Sequence, residues 1–539
     1  MDESARQTKV NWREWGPATF EEADAADMPL LLSLSAPWCG WCRRMDEGAY
    51  SEPRVAANVN EDFVPVRVDA DRLPRVRERY NMGGFPSTVF LTPEGKLLSG
   101  ATYLEPDGFR QVLERVREAY DEKGRDAGRV PRALRGEKPP AGEVTADIER
   151  LVAGQLGDKY DEDHAGWGTS EKFPLPQTVE FALKRERDQA LRTLDAVKRS
   201  LLDDFDGGFF RHAHERDWSD PQREKLLDEN AALLRAYANA YLYTGEGAYR
   251  HPAQRAIDYL TGTLWTGEAF GGSQEPGDYY ALPPESRTEE NEPDVDATAF
   301  ADRNARAADA LLTYAAYTDD ETAARYAERT LDFLETELVD DGRVAHYGED
   351  DAPTGLLADH AWVVRAFATA AQVVDPVYAE TARHVADDAV DRLATESGAL
   401  VDGPEEGPGL LDRPLYPVDD NATFANALVD LAVLTGDDAY ETVAHDAVAA
   451  FAGAADRMGV QVAPYATAAS RLVGGPLTIE VGDDAGSDLH RAALRMADHE
   501  KVVVPDADVA AGTARVNGGE PVETPEALAE AVSEAVAEE

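Results

Sequence analysis

Leu30-Leu31-Leu32-Ser33-Leu34-Ser35-Ala36-Pro37-Trp38-Cys39-Gly40-Trp41-Cys42 decides how the first part of the chain is read. The leucine run is short and apolar, as in a buried strand, and Ala36-Pro37-Trp38 turns the chain. Trp41 to Val59 then reads mostly as a helix. Cys39 and Cys42 are the chain's two cysteines, in 539 residues, and they stand three apart. A Cys-x-x-Cys pair opening a helix can cycle between dithiol and disulfide. The free N–H groups and positive dipole end of the helix favour a thiolate on the first sulfur. A structural zinc site needs four ligands, and no second cysteine pair exists to complete one. No metal is therefore expected, and an inert buried pair is the plainer alternative to redox chemistry.

Working outward, Pro17 to Met28 reads as a helix, Phe63 to Asp69 as a second strand and Leu73 to Tyr80 as a short charged helix. Gly83-Gly84-Phe85-Pro86-Ser87-Thr88-Val89-Phe90-Leu91 leads through the turn Pro93-Glu94-Gly95 to Lys96–Gly100, and Asp107 to about Tyr120 closes the segment as a helix. The order βαβ followed by ββα resembles thioredoxin. Trp38-Cys39-Gly40-Trp41-Cys42 carries that resemblance, together with Phe85-Pro86-Ser87-Thr88 in the place of the family's cis-proline segment. The resemblance implies that Cys39 attacks and Cys42 resolves. It also implies that Trp38, Trp41, Phe85 and Pro86 line the face that receives a protein or small-molecule disulfide. Two residues depart from the pattern. Trp41 stands where thioredoxin has proline, and Ser33 where thioredoxin has a buried acidic proton acceptor. Asp46 and Glu47 are the nearest acids in the following sequence.

Residues 1–125 thus form a thioredoxin-like α/β domain, and 126–145, rich in Gly, Pro and charge, a linker. From 146 to 475 the pattern is helical and repeats. The units begin at Asn230, Asn304, His360 and Asn421, and each has a helix, a short turn, a tyrosine soon after it and a second helix. Thr244-Gly245 and Thr435-Gly436 are helix stops. Four clear hairpins, with fainter ones at 146–204 and 463–472, predict a closed (α/α)6 toroid of the six-hairpin glycosidase-like kind, with an open solenoid as the alternative. The inner helices open on Glu229-Asn230, Asp302-Arg303-Asn304, Asp359-His360 and Asp420-Asn421. Asn230, Asp359, His360 and Asn421 are candidate contacts for a carbohydrate-like ligand in the toroid, with helix capping as the competing role. Phe173-Pro174, Gly207–His212 and Phe270–Gln274 supply loops rich in Gly and aromatics, suited to stacking on a flat or sugar-like ligand and also to ordinary loop packing. Residues 476–539 read as a small α/β C-terminal unit.

The whole order resembles the spermatogenesis-associated protein 20 family, which joins a thioredoxin-like domain to a six-hairpin helical domain. Its carriers are Cys39–Cys42, Phe90-Leu91-Thr92-Pro93-Glu94-Gly95, Lys172-Phe173-Pro174, Gly207-Gly208-Phe209, Glu224–Ala231, Asn421 and Leu434-Thr435-Gly436. Relatives usually carry Cys-His-Trp-Cys-His. Here Gly40 and Arg43 take the two histidine positions, closer to ordinary thioredoxin. The resemblance implies the multidomain fold and a redox role without naming a substrate. Three functions are compatible: a thiol–disulfide oxidoreductase whose toroid binds or presents a client; a protein of carbohydrate metabolism, glycosidase-like or epimerase-like, with a regulatory redox domain; and a binding scaffold.

The formal net charge is −51, from 104 acidic and 53 basic residues. Acids are spread throughout while apolar periodicity persists, which points to a folded surface suited to concentrated salt and a halophilic source. Such a surface repels a phosphate backbone, so no nucleic acid partner is expected. G-x-G-x-x-G is absent, and no cofactor is expected. With no apolar run near 18 residues and no secretory pattern at the N-terminus, no membrane is expected either, and the expected location is the cytoplasm.

Overall fold

All six residues of β1 (Leu30–Ser35) are buried, because this strand is covered on both faces. It lies at the centre of a four-stranded sheet ordered β2-β1-β3-β4. β2 (Val64–Asp69) runs parallel to it, β3 (Ser87–Leu91) antiparallel, and β4 (Leu97–Ala101) pairs antiparallel with β3. This computed structural model describes residues 8–135 and 138–538. Residues 1–7, Gly136, Glu137 and Glu539 lie outside the described residues. With them fall the N-terminal stretch read for a leader, two linker positions and the final position of the C-terminal unit.

The pleat sends Leu30, Leu32 and Leu34 to one core with Val64, Val66 and Val68, and Leu31 to the other with Met45, Tyr50 and Phe109. The helices of this unit are α1 (Pro17–Ala26), α2 (Gly40–Glu47), α3 (Pro53–Asp62), α4 (Pro74–Tyr80) and α5 (Pro106–Lys123). The single helix expected over Trp41 to Val59 is in fact two. α2 stops at Gly48, a 3-10 turn covers Ala49–Ser51, and Pro53 opens α3, where its missing N–H costs nothing. Part of the expected linker is also ordered: Arg129 exchanges both backbone hydrogen bonds with Leu97 of β4.

The chain divides into two units. The first holds Met1–Lys138 with Glu275–Ala281 and Asp402–Leu415; the second holds Pro139–Gln274, Leu282–Val401 and Tyr416–Glu539. Within the first, Asp402 accepts from Arg75 at 3.0 Å and from Arg79 at 2.6 and 3.2 Å, so the buried Arg79 and the partly buried Arg75 share a counter-charge.

The second unit is the toroid. Its helices are α6 (Ala146–Lys159), α7 (Pro176–Arg185), α8 (Arg187–Leu201), α9 (Leu227–Thr244), α10 (Gly247–Tyr259), the single turn α11 (Pro284–Arg287), α12 (Ala301–Thr318), α13 (Glu321–Phe333), α14 (Leu357–Val373), α15 (Tyr378–Leu393), α16 (Val418–Thr435), α17 (Asp438–Ala449) and α18 (Ala463–Gly474). The inner ring runs α7-α9-α12-α14-α16-α18 and closes by packing α18 on α7, while α6, α8, α10, α13, α15 and α17 back it. Closure rules out the open solenoid. Gly245 (φ 66°) and Gly436 (φ 68°) end α9 and α16 in the left-handed region, where glycine carries no Cβ penalty.

Short ladders shape the loops before the inner helices. β5 (His212–Ala213) pairs with β6 (Pro221–Gln222), β8 (Ser273–Gln274) joins β7 (Lys225–Leu226) to β9 (Val295–Asp296), and β10 (Val339–Asp340) pairs with β11 (Arg343–Val344). At the opposite, C-terminal ends of the inner helices sits the sheet β13-β12-β14 (β12 Thr478–Val481, β13 Val502–Val504, β14 Ala514–Val516) with α19 (Asp488–Leu494) and α20 (Pro525–Glu538). Its core includes Ala316 and Tyr317 of α12. Val503 donates its N–H to Gln372 at 3.0 Å, and Arg185 donates to Glu500 at 2.6 Å. This appendage therefore closes one end of the ring.

Candidate functional site

β1 delivers the chain through Ala36-Pro37 to the N-terminus of α2, and Cys39 is its cap. The Cys39 Sγ accepts the Cys42 N–H at 3.0 Å, and the two cysteines are joined as a disulfide. An accepted backbone N–H and the helix dipole both favour negative charge at the first sulfur. Cys39 and Cys42 are both buried. Trp38 is buried beside them; its indole N–H donates to Asp71 at 2.8 Å, and its ring meets Phe85 edge-on at 5.5 Å. The Phe85–Pro86 peptide bond is cis. Trp41 is 42% exposed, with its ring against Tyr103 at 5.1 Å and under the Arg44 guanidinium at 4.5 Å. Cys39, Cys42, Trp38, Trp41, Phe85 and Pro86 thus gather on one unit.

Two further features of this site were not legible from sequence. Arg43 forms an ion pair with Glu275, and a Cβ on Gly40 would meet Pro276 at 3.5 Å. The motif's two departures from the family's histidines are therefore the positions that meet Glu275–Ala281, a segment of the same unit.

The toroid candidates separate into two kinds. Asn230 and Asn421 are buried and hold loop backbone: Asn230 accepts the Phe209 N–H at 2.6 Å, and Asn421 accepts the Leu400 N–H at 2.8 Å. Asn304 does the same for Phe270 at 2.9 Å. His360 is fully buried, its Nδ1 against the Leu356 carbonyl at 2.8 Å and its Nε2 against Asp388 at 3.2 Å. These residues are not helix caps. The cap positions are Leu226, Phe300, Leu356 and Pro417, and the polar side chains lie a turn inside. Two aromatic-loop residues pack against neighbouring rings. Phe209 lies on Tyr237, and Phe270 against Trp265 and Tyr326. Buried Lys172 and Lys225 close their loops onto Asp161 and Asp203, each at 2.9 Å, a repeated clasp that single-residue reading does not find.

Asp359 is different. It is fully buried, and His346 Nδ1 meets its two oxygens at 2.9 and 3.0 Å. Burial raises its carboxyl and His346 opposes that. Among the described residues, Asp302, His346 and Asp359 place one ligand atom each within 4.8 Å of one another, a grouping that suits a divalent cation. His346 and Asp359 already satisfy each other as an ion pair, and Asp302 lies beside that pair. At the same N-terminal end of the inner helices, desolvation pushes the half-buried Glu229 up to about 7. Asp228 adds to that shift, while Arg211 and Arg306 oppose it. Asp228 Oδ1, Asp302 Oδ1 and Arg306 Nε are buried without a hydrogen-bond partner among the described residues. The Arg306 guanidinium lies over Trp362 at 4.1 Å.

The family model described as Thioredox_DsbH, protein of unknown function DUF255, matches residues 3–134. Human spermatogenesis-associated protein 20 is 30% identical over 295 residues, covering 47% of this chain and 37% of that protein. Over these stretches the chain is similar to the spermatogenesis-associated protein 20 family. It spans about 37% of the length of the curated relatives that it matches first. The thiol:disulfide interchange protein TxlA of Synechococcus elongatus is 36% identical over 78 residues, covering 14% of this chain and 40% of that protein. Among solved structures, a sugar epimerase from a ruminal bacterium is 11% identical, covering 57% of this chain and 86% of that one, with a TM-score of 0.47. No helix among the described residues is long and apolar enough to cross a membrane.

Proposed function

We propose that this chain is a thiol–disulfide oxidoreductase that uses Cys39 as the attacking thiolate and Cys42 as the resolving thiol. The observation that carries it is the Cys39–Cys42 disulfide at the N-terminus of α2, with the Cys39 sulfur accepting the Cys42 N–H at 3.0 Å. In the reduced protein the Cys39 thiolate attacks a client disulfide. One client sulfur joins Cys39 and the other leaves as a thiolate. The Cys42 sulfur then attacks Cys39 and releases the second client thiolate. The client gains two electrons and the protein dithiol loses them. The exposed Trp41 ring and the Phe85–Pro86 segment flank the pair and offer the client its contact surface.

Reduced full-length protein is expected to reduce an aromatic disulfide with release of two thiolates per chain. Cys42→Ser is expected to stop after one, trapped as the mixed disulfide, and Cys39→Ser to release none at a comparable rate. Wild-type rates in Cys39→Ser would end the proposal.

A second function is favoured by the acidic groups at the N-terminal ends of the inner helices: Glu229 of α9, raised to about 7, and the Asp302, His346 and Asp359 grouping. A carboxyl poised near neutrality suits proton transfer to a polyhydroxyl ligand. Binding of mannose or cellobiose that is unaffected by alkylating both cysteines and lost in Glu229→Gln would support it. No binding of either sugar up to millimolar concentration would count against it.

A further inference from the structure

Resolution by Cys42 requires its thiol to lose a proton inside a buried site, and the strand position where thioredoxin keeps an acid is Ser33. The structure brings a carboxylate to that place from the helix instead. Cys42 and Asp46 stand four residues apart on α2, and both are buried, at 2% and 6% exposure. Side chains at that spacing share a helix face, with Cβ atoms roughly 5–6 Å apart. Glu47, the other nearby acid, is exposed.

The sheet beneath supplies the counter-charge. Ser33 of β1 stands opposite Arg67 of β2 in the parallel register. Both alternate with Leu32, Leu34, Val66 and Val68 of the opposite core, so both face the side that carries Met45 and Tyr50. The Arg67 guanidinium crosses to Asp46 and forms an ion pair with it, while lying over Trp12 at 4.5 Å and near the Tyr50 ring at 5.9 Å. An arginine beside Ser33 thus binds a carboxylate one residue type and one element away from where the family pattern puts it. The guanidinium keeps this buried carboxylate from being an isolated charge.

The other polar groups at this end of the sheet are committed elsewhere or carry protons of their own. Asp71 accepts the Trp38 indole N–H, and Asp69 accepts the Asp71 N–H at 3.0 Å. Tyr50 is buried, its hydroxyl 3.5 Å from Thr88, and desolvation raises it, so it holds its proton; Ser33, Thr88 and Arg67 oppose that shift and Asp46 adds to it.

We propose that Asp46, held by Arg67, is the proton acceptor of the Cys42 thiol, a role that rests on the oxidoreductase function above. In the resolving step the Cys42 proton passes to the Asp46 carboxylate, directly or through one water. The Cys42 sulfur bonds to Cys39, the bond from Cys39 to the client breaks, and the client leaves with the electron pair as a thiolate. The Asp46 proton then passes to solvent or to the departing thiolate.

The test is single-turnover reaction of the reduced full-length chain with Ellman's reagent, following the first and second thiolate separately between pH 6 and 9.5. Asp46→Asn is expected to leave the first release within about twofold. It should slow the second by a factor of about 100 near pH 7, with the deficit closing above about pH 8.5, where a thiol ionises unaided. Ser33→Asp placed in Asp46→Asn returns a carboxylate next to Arg67, guards against loss of folding, and is expected to restore the second release. A second release in Asp46→Asn with wild-type rate and pH profile overturns the assignment. So does a deficit that persists unchanged to pH 9.5 and is not recovered by Ser33→Asp. A wild-type chain that releases neither thiolate overturns the oxidoreductase function itself, and this role with it.

Discussion

Asn230 holds Phe209 by both ends of its amide: Oδ1 accepts the Phe209 N–H at 2.6 Å, and Nδ2 donates to the Phe209 carbonyl at 3.2 Å. Nδ2 also reaches the Leu226 carbonyl at 2.8 Å. Asn304 treats Phe270 and Phe300 in the same way, and Asn421 treats Leu400 and Pro417. One side chain thus ties each of these three loops to the inner helix that follows it. Asn421→Ala is expected to lower unfolding stability by about 1–3 kcal/mol, because it strands buried backbone groups. Chemical denaturation checks this. A variant of unchanged stability that lost ligand binding instead would return Asn421 to the ligand-contact role.

Midway down the inner helices the charges alternate around the ring. Glu180 of α7, Arg235 of α9, Asp309 of α12, Arg365 of α14, Asp430 of α16 and Arg471 of α18 supply one charge each. Arg235 pairs with Glu180 at 3.0 Å and Asp309 at 2.9 Å; Arg365 lies 3.4 Å from Asp309, and Arg471 pairs with Asp430. Asp309 is fully buried and also accepts from Thr369 at 2.7 Å. Asp309→Ala leaves two guanidinium groups short of a counter-charge and is expected to cost about 3–5 kcal/mol. Asp309→Leu with Arg365→Leu is expected to recover part of that loss. Equal stability of wild type and Asp309→Ala by denaturant melting would refute a ring of coupled charges.

The thioredoxin-like order and the hairpin repeat were legible because their signals are local. Cys39 to Cys42 is one helical turn, and Thr244-Gly245 ends a helix whatever lies around it. What was not legible depends on partners far away in sequence. Arg235 and Asp309 are 74 residues apart, and Asn230 and Phe209 are 21 apart. In a chain with 104 acids nothing in the sequence marks which carboxylates converge. Polar starts of inner helices therefore suggested caps or ligand contacts, although the caps are apolar and extended and the asparagines hold loops. Asp46 illustrates the same limit. Its spacing from Cys42 is evident in the sequence, but its burial follows only once Arg67 is known to point at it.

Acid sensitivity should follow from His499. Its Nδ1 meets the Tyr243 hydroxyl at 2.9 Å, and burial pushes its pKa from 6.5 down to about 4; Arg235 adds to that, while Glu500, Glu180 and Asp498 oppose it. The unfolded chain binds the proton more readily, so this contribution to stability is complete above pH 6.5 and is lost as pH falls toward 4. His212, lowered to about 3 by burial with Arg211 and His214 adding, acts in the same direction. Melting temperature is expected to be flat between pH 7 and 8 and to decline below pH 6.5, less steeply in His499→Gln. An identical decline in the variant would remove His499 from the account.

Salt should stabilise this protein where it weakens many others. Acidic residues outnumber basic ones 104 to 53, so ion pairs such as Arg13 with Glu22 leave a large excess of carboxylates. Screening weakens both the pairs and the repulsion among that excess. At 0.1 M salt the Debye length is about 10 Å, and at 1 M about 3 Å, so repulsion between neighbouring surface carboxylates fades over that range. Exposed ion pairs contribute only about 0–1 kcal/mol each, and their loss is small beside relief of a net charge of −51. Melting temperature is expected to rise steadily from 0.1 to 2 M KCl. Sucrose of equal osmolality separates charge screening from general exclusion and is expected to produce a smaller rise. A melting temperature that stays constant or falls with KCl would mean that the surface acids are already neutralised by their neighbours, and the halophilic reading of the composition would fail.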